Sequence, residues 1–282
     1  MKAKREIDWV ASLFIIGVHI ASFAAFFTFS WNALLVMLIL HWITGGVGIT
    51  LGYHRLLTHR SFKTVKPIEY LLSIIGCLAC QGGPLSWVTA HRLHHAYSDE
   101  EGDPHSPLDG FFWAHMNWCL HENRAISTKE GKKRISLDLY QDPLHRILDK
   151  GHIVWTLLLA TGLYLWGGWS FVVWGIFVRL VLVYHCTWLV NSAAHVWGYR
   201  TYATADKSTN LWWVALLTYG EGWHNNHHAF QFSARHGMKW WEIDTTYWMI
   251  KFLEYFGLAS AVKIPSKYLL DTTYARNQRI QN

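Results

Sequence analysis

The chain has 282 residues, 51% of them hydrophobic, 16% aromatic and 16% charged, against roughly 25% charged in an ordinary soluble domain. That balance excludes disorder and speaks against a plain soluble domain, while six prolines and 21 glycines exclude a collagenous or low-complexity chain. The net charge is +6, and 18 histidines and 18 tryptophans exceed what core packing requires.

In chain order, the basic start Met1-Lys-Ala-Lys-Arg-Glu6 leads into an apolar stretch without a convincing cleavage site, which reads as a retained anchor. Residues 9–29 and 31–51 then run without a charge, each long enough to cross a hydrocarbon core of about 30 Å. Only Ser30 separates them, so they form a tight hairpin. Residues 68–80 are apolar but too short to span, which fits a re-entrant or surface-lying helix. Cys77 and Cys80 lie in that stretch. With four cysteines in all, they read as packed thiols in a reducing compartment rather than a metal or disulfide framework. A second apolar stretch, 153–190, is broken by Gly167-Gly168 into arms at 153–166 and 169–190. Its first arm is short unless the helix begins near Arg146.

The expected fold is all-α. It has four transmembrane helices in two hairpins, and residues 52–150 and 191–282 form a helical cytoplasmic cap, all within one domain of residues 1–282. Of the 25 Lys and Arg residues, 24 lie before the first hairpin, between the hairpins or after residue 190, and none lies in a hairpin turn. The positive-inside rule therefore puts the cap and both termini in the cytoplasm. Arg179 is the exception; a charge within a span should face a protein interior or a polar pathway.

Nine histidines fall into four strings: His54 with His59, His91 with His94 and His95, Asn191 with His195, and His224 with His227 and His228. Helical spacings of three and four bring side chains to one face, so each triplet can point at one place. His54 and His59 are about 140° apart on an ideal helix, so the helix must unwind there, where Gly52 eases a break, or address two targets. Nine imidazoles are too many for a tetrahedral zinc site. Two metals with about five nitrogen or oxygen ligands each would use all nine plus Asn191, and imidazole alone does not choose among iron, copper and zinc. The other nine histidines read as ordinary surface or core residues.

These strings resemble the histidine boxes of the integral-membrane fatty acyl desaturases, in particular their Δ9 group. The likeness runs over about residues 35–260 and includes Gly52-Tyr-His-Arg-Leu-Leu-Thr-His59, Asp103-Pro-His105, Trp188-Leu-Val-Asn-Ser-Ala-Ala-His195 and Gly220-Glu-Gly-Trp-His-Asn-Asn-His-His-Ala-Phe230. The resemblance implies a di-iron site ligated by His54, His59, His91, His94, His95, His195, His224, His227 and His228, with Asn191 approaching one iron through water. It also implies O2 as co-substrate, and a bent acyl tunnel shaped by Gln81, Trp87, Thr187 and Trp188. The product would be a cis double bond at Δ9 of a C16 or C18 chain.

An unactivated methylene has no acidic proton and no leaving group, so an oxidant generated from O2 at a metal suits it, and the cofactor carries that step. The chain has no nucleotide fingerprint, haem domain or Fe–S cysteine set. The electron donor is then a separate protein, which the resemblance implies to be ferredoxin, with cytochrome b5 as the alternative. Animal members hold CoA with an Arg-Asp pair before the second box. Here Thr89 and Ala90 stand at those positions and Gly82 replaces an asparagine after the matched glutamine, which points to a membrane glycerolipid as substrate. The alternatives are a stearoyl-CoA Δ9 desaturase or a fatty acyl hydroxylase on the same iron site. No nucleic-acid partner is expected, and the setting is a bacterial inner membrane or a cyanobacterial thylakoid. An ion pathway or a bis-histidine haem protein fits less well, because the histidine strings sit beyond the spans and outnumber haem ligands.

Overall fold

The computed structural model describes residues 5–281, with side chains to residue 274; the basic start at Met1–Lys4 lies outside them. In chain order the helices are α1 (Trp9–Ser22), α2 (Trp31–His41), α3 (Lys66–Cys77), α4 (Pro84–Tyr97), α5 (Phe111–His115), α6 (Arg124–Ser127), α7 (Lys129–Ile135), α8 (Leu137–Tyr140) and α9 (Pro143–Lys150), then α10 (His152–Val172), α11 (Arg179–Asn191), α12 (Trp212–Leu217), α13 (His224–Ala229), α14 (Thr245–Tyr255) and α15 (Lys267–Gln281). Strands β1 (Lys63–Thr64) and β2 (Ala259–Ser260) pair antiparallel, Lys63 opposite Ser260.

Three helical segments are long and apolar enough to cross a membrane: Trp9–Phe27, Trp31–Thr58 and His152–His195, of 19, 28 and 44 residues. Side-chain caps start the first two. Asp8 accepts from the Ala11 amide at 2.9 Å and Ser30 from the Ala33 amide at 3.1 Å, each satisfying an otherwise orphaned donor. The third segment doubles back at Gly168, whose φ of +66° takes it out of the helix. Across that turn Leu163, on the first arm, lies over Gly175 and packs with Val172 and Ile176 of the second. Ser170 donates to the Thr28 carbonyl at 2.6 Å and lies 3.3 Å from Ser30, so both turns sit together at the end remote from the histidines.

The boundaries differ from the sequence expectation in three places. The first segment ends as a 3-10 turn at Phe27. The arm before Gly168 starts at His152, after a break at Gly151 that separates it from α9, so it does not reach back to Arg146. The largest difference is at the second segment. It continues past residue 51 to Thr58, because α2 widens at Trp42 into a π-helix that carries the chain into the first histidine string. Polar residues can stay helical there because they are paired: Arg55, with no exposed surface, reaches Glu221 at 3.1 Å and Asp244 at 2.9 Å.

The apolar stretch 68–80 is helical as far as Cys77, in α3, which is laid against the π-helix at backbone distance. A Cβ on Gly48 would meet the Ile75 carbonyl oxygen at 2.8 Å, and one on Gly76 would meet the Tyr53 ring at 2.3 Å. Around that contact lies one core, with Tyr53, Leu56, Leu57, Phe62, Leu85, Val88 and Ile250. A second core fills the space between the long helices, with Ile15, Val18, Leu163, Leu180, Tyr184 and Trp188. Cys77 and Cys80 are free thiols. Arg179 is fully buried and donates to the Gly175 carbonyl at 2.7 Å, the Leu78 carbonyl at 2.8 Å and Thr44 at 3.0 Å.

Candidate metal centre and acyl cavity

The nine histidines divide into two groups. The ligand-capable atoms of His54, His59, His91, His95 and His227 lie within 4.8 Å of one another, and so do those of His94, His195, His224 and His228. Each triplet is therefore split rather than aimed at one place. Helix α4 lies between the groups: His91 and His95, four apart, face the first, and His94 faces the second. Helix α13 mirrors this arrangement, giving His224 and His228 to the second group and His227 to the first. On any helix the i and i+4 positions are closer in angle than i+3 is to i+4, so a helix wedged between two centres splits a triplet this way.

His54 and His59 reach the same group without unwinding. The His59 amide donates to the His54 carbonyl at 3.1 Å, an i to i+5 bond, and this π register stacks residues five apart. Their ring centroids are 4.7 Å apart.

The nitrogens converge as lone pairs would around an ion. His54 and His227 approach Nε2 to Nε2 at 3.2 Å, His95 and His227 at 3.0 Å, and His195 and His224 at 3.0 Å. Buried Nε2 atoms of His94 and His228 have no hydrogen-bond partner among the described residues. Behind the rings stand carboxylates. The Nδ1 atoms of His94, His195 and His228 pair with Asp103 at 3.0 Å, Asp99 at 3.0 Å and Asp206 at 2.8 Å, and His54 Nδ1 lies 2.7 Å from Glu221. Such partners fix the tautomer that leaves Nε2 free for a metal.

Protonation agrees with that use. Burial, then the neighbouring imidazoles, holds His59, His91, His95, His224 and His227 well below the ordinary histidine value. Burial takes His228 to about 4 even against Asp206. Burial alone would raise the Glu221 carboxyl, but His54, Arg55 and His236 hold it well below the carboxylate range. Those six imidazoles are held neutral, and a transition metal needs neutral imidazole donors.

Asp99, Asp206, Glu221 and His236 escaped the sequence reading. His236 has no exposed surface and lies 3.1 Å from Glu221, its ring 4.4 Å from that of His227. Glu221 and Asp99 sit within a few residues of a histidine string, a usable signal. Asp206, 22 residues before the histidine it orients, carries none.

Beside the histidines a cavity of about 570 Å³ is lined by Gln81, Trp87, Thr187 and Trp188 together with His91 and Asn191. A smaller one, of about 50 Å³, shares Trp87, His91, Thr187 and Asn191 and extends past His41 and Tyr219. The shared wall is hydrogen-bonded: Trp87 Nε1 donates to Gln81 at 3.1 Å, and Gln81 donates to Thr187 at 2.8 Å. The four residues expected around an acyl chain are therefore neighbours, and Asn191 lies where both cavities meet the histidines.

A family model for fatty acid desaturases matches residues 28–259. The sn-1 stearoyl-lipid 9-desaturase of Anabaena variabilis is 53% identical over 94% of this chain and 97% of its own. The palmitoyl-monogalactosyldiacylglycerol delta-7 desaturase of Arabidopsis thaliana is 49% identical over 93% of this chain and 71% of its own. The sn-1 stearoyl-lipid 9-desaturase of Synechocystis sp. is 48% identical over 94% and 83%. A delta-7 enzyme stands at much the same identity as the two 9-desaturases, so identity settles the family more firmly than the carbon attacked. The chain belongs to the fatty acid desaturase family, and is an oxidoreductase.

Proposed function

We propose that this protein is a di-iron, O2-dependent acyl-lipid desaturase that places a cis double bond at Δ9 of a C16 or C18 chain esterified to a membrane glycerolipid. The observation that carries the reading is the division of nine histidines into groups of five and four beside a cavity walled by Gln81, Trp87, Thr187 and Trp188. His54, His59, His91, His95 and His227 would hold one iron, and His94, His195, His224 and His228 the other, with Asn191 completing the second through water. Iron bound there would supply, with O2, an oxidant able to take hydrogen from an unactivated methylene. The chain's own residues do the rest. Trp87, Gln81 and Thr187 hold the acyl chain where the two cavities meet, because position decides which carbon reacts. The buried carboxylates orient the imidazoles. Electrons come from a separate protein, ferredoxin or, as the alternative, cytochrome b5.

The double-back at Gly168 supports four spans, with the histidine end and both termini cytoplasmic. The lining of the larger cavity supports a glycerolipid rather than CoA. It includes Asp8, Gly82, Ser86, His121, Asn123, Ser127 and His152, and no lysine or arginine among the described residues, so charge-assisted bonds to CoA phosphates are missing there. Of the basic cap residues Lys132, Lys133 and Arg134 that could meet a phosphate from another direction, Lys132 is paired with Asp149 at 2.8 Å. The test is to supply the iron-loaded enzyme and its donor with stearoyl glycerolipid or stearoyl-CoA, and to locate the bond by mass spectrometry of derivatised esters. Oleoyl glycerolipid as the faster product supports the reading. Faster turnover of the CoA ester, a bond at another carbon, or a hydroxylated chain overturns it.

A further inference from the structure

Away from the metal centre, three histidines and a serine form one continuous hydrogen-bonded chain across α1, α11 and α5. His19 Nδ1 meets the Ile15 carbonyl at 2.7 Å, and His19 Nε2 faces His185 Nε2 at 3.2 Å. His185 Nδ1 meets His115 Nε2 at 2.9 Å, and His115 Nδ1 meets Ser192 Oγ at 3.0 Å. Ser192 Oγ donates to the Trp188 carbonyl at 2.8 Å. Trp188 is enclosed by the same three rings: His19 stacks on it at 6.5 Å, and His185 and His115 meet it edge-on at 5.2 and 5.8 Å. On its other side Trp188 walls the larger cavity.

The two ends of the chain fix the donors. A carbonyl only accepts, so His19 donates through Nδ1 and, when neutral, presents a bare lone pair at Nε2. From the other end Ser192 donates to Trp188, so His115 Nδ1 donates to Ser192, His115 Nε2 accepts from His185 Nδ1, and His185 Nε2 is bare. Five links need five protons, and three neutral imidazoles and one hydroxyl carry four. The vacancy falls at the His19–His185 contact, the longest of the five at 3.2 Å.

We propose that His19, His185, His115 and Ser192 are positioning residues that clasp Trp188 against the acyl cavity through this one hydrogen-bonded chain, with the His19–His185 contact as its weakest link. The part of this that concerns the acyl chain rests on the cavity reading above.

The test uses the iron-loaded protein in lipid nanodiscs, with 15N-labelled histidine. The chain fixes His19, His185 and His115 as Nδ1-protonated tautomers, and their nitrogen shifts should show this in the wild type. His185→Leu, which removes the middle of the clasp, should raise KM for a stearoyl glycerolipid about tenfold with kcat unchanged, the worth of one hydrogen bond. His19→Leu leaves three links and three protons among His185, His115 and Ser192, so it should raise KM less and keep the other two tautomers. Nε2-protonated tautomers at these three histidines overturn the chain, whatever the substrate is. An unchanged KM in both variants overturns the clasp. Leucine at position 19, in a half-buried membrane-facing helix, favours insertion, so this variant remains readable if His185→Leu fails to fold.

Discussion

The two histidine groups achieve one kind of site by different means. In the four-histidine group, His94, His195 and His228 each have a carboxylate on Nδ1, drawn from Asp103, Asp99 and Asp206. In the five-histidine group only His54 has one, Glu221, and the buried Nδ1 atoms of His95 and His227 have no hydrogen-bond partner among the described residues. Three of these four rings are aimed by ionic partners, while His224 Nδ1 has no hydrogen-bond partner among the described residues. The other five are aimed by backbone register and packing, with the π-helix placing His54 and His59 together and Trp87 stacking on His91 at 5.0 Å. One site can thus be perturbed through electrostatics and the other through helix geometry.

The bluntest way to break the comparison is to remove a ligand from each side. His94→Ala and His227→Ala should each abolish desaturation while leaving membrane insertion intact, because neither lies in the apolar segments that drive insertion. Iron analysis should show each variant losing metal, and Lys251→Ala, an exposed cap residue, should keep both metal and activity. Full activity in either histidine variant would remove that group from the metal site.

The difference between the groups also shows what a sequence can carry. The grouping of the nine histidines, the turn at Gly168 and the short helix ahead of the second string were legible from local spacing or apolar run length, whereas the four cavity residues came only through the family resemblance. The splitting of the triplets was not: His91, His94 and His95 share a face on paper, and only the position of α4 between two centres divides them. Nor was the π-helix, since an apolar run that ends at residue 51 gives no hint that the helix continues to Thr58. Which carboxylate stands behind which ring was hidden by distance. Asp99 is 96 residues from His195, a pairing made only when the loop after α4 meets the turn after α11.

A smaller effect sharpens the contrast. Asp206→Asn keeps the size of the side chain but removes the charge that orients His228, and losses of about 10–100-fold in metal affinity are usual for such partners. The loss should be confined to the four-histidine group, so the iron content should fall toward one per chain with the other ion retained. Asp103→Asn should behave alike through His94. Equal loss of both ions in Asp206→Asn would show that the two groups are not separately supported.

The smallest effect falls on the other group, through the register of the helix. The Thr58 hydroxyl donates to the Tyr53 carbonyl at 2.8 Å, five residues back, while the His59 amide takes the His54 carbonyl at 3.1 Å. The side-chain bond therefore closes the same wide turn that stacks His59 on His54. Thr58 is buried, so Thr58→Val preserves shape and packing and removes only that bond, at a cost of about 1 kcal/mol. A loss of this size does not unfold the chain, but it lowers the preference for the π register against an α register, in which residues five apart are about 140° from alignment. The expected result is a modest weakening of iron binding in the five-histidine group, read by titration with a chelator, while the four-histidine group releases its ion as in wild type. Thr58→Ser, which keeps the hydroxyl, should restore the wild-type curve. If valine and serine behave alike, the register is held by the packing of Gly48 and Gly76 instead, and Gly76→Ala, forced against Tyr53, becomes the variant that loosens this group.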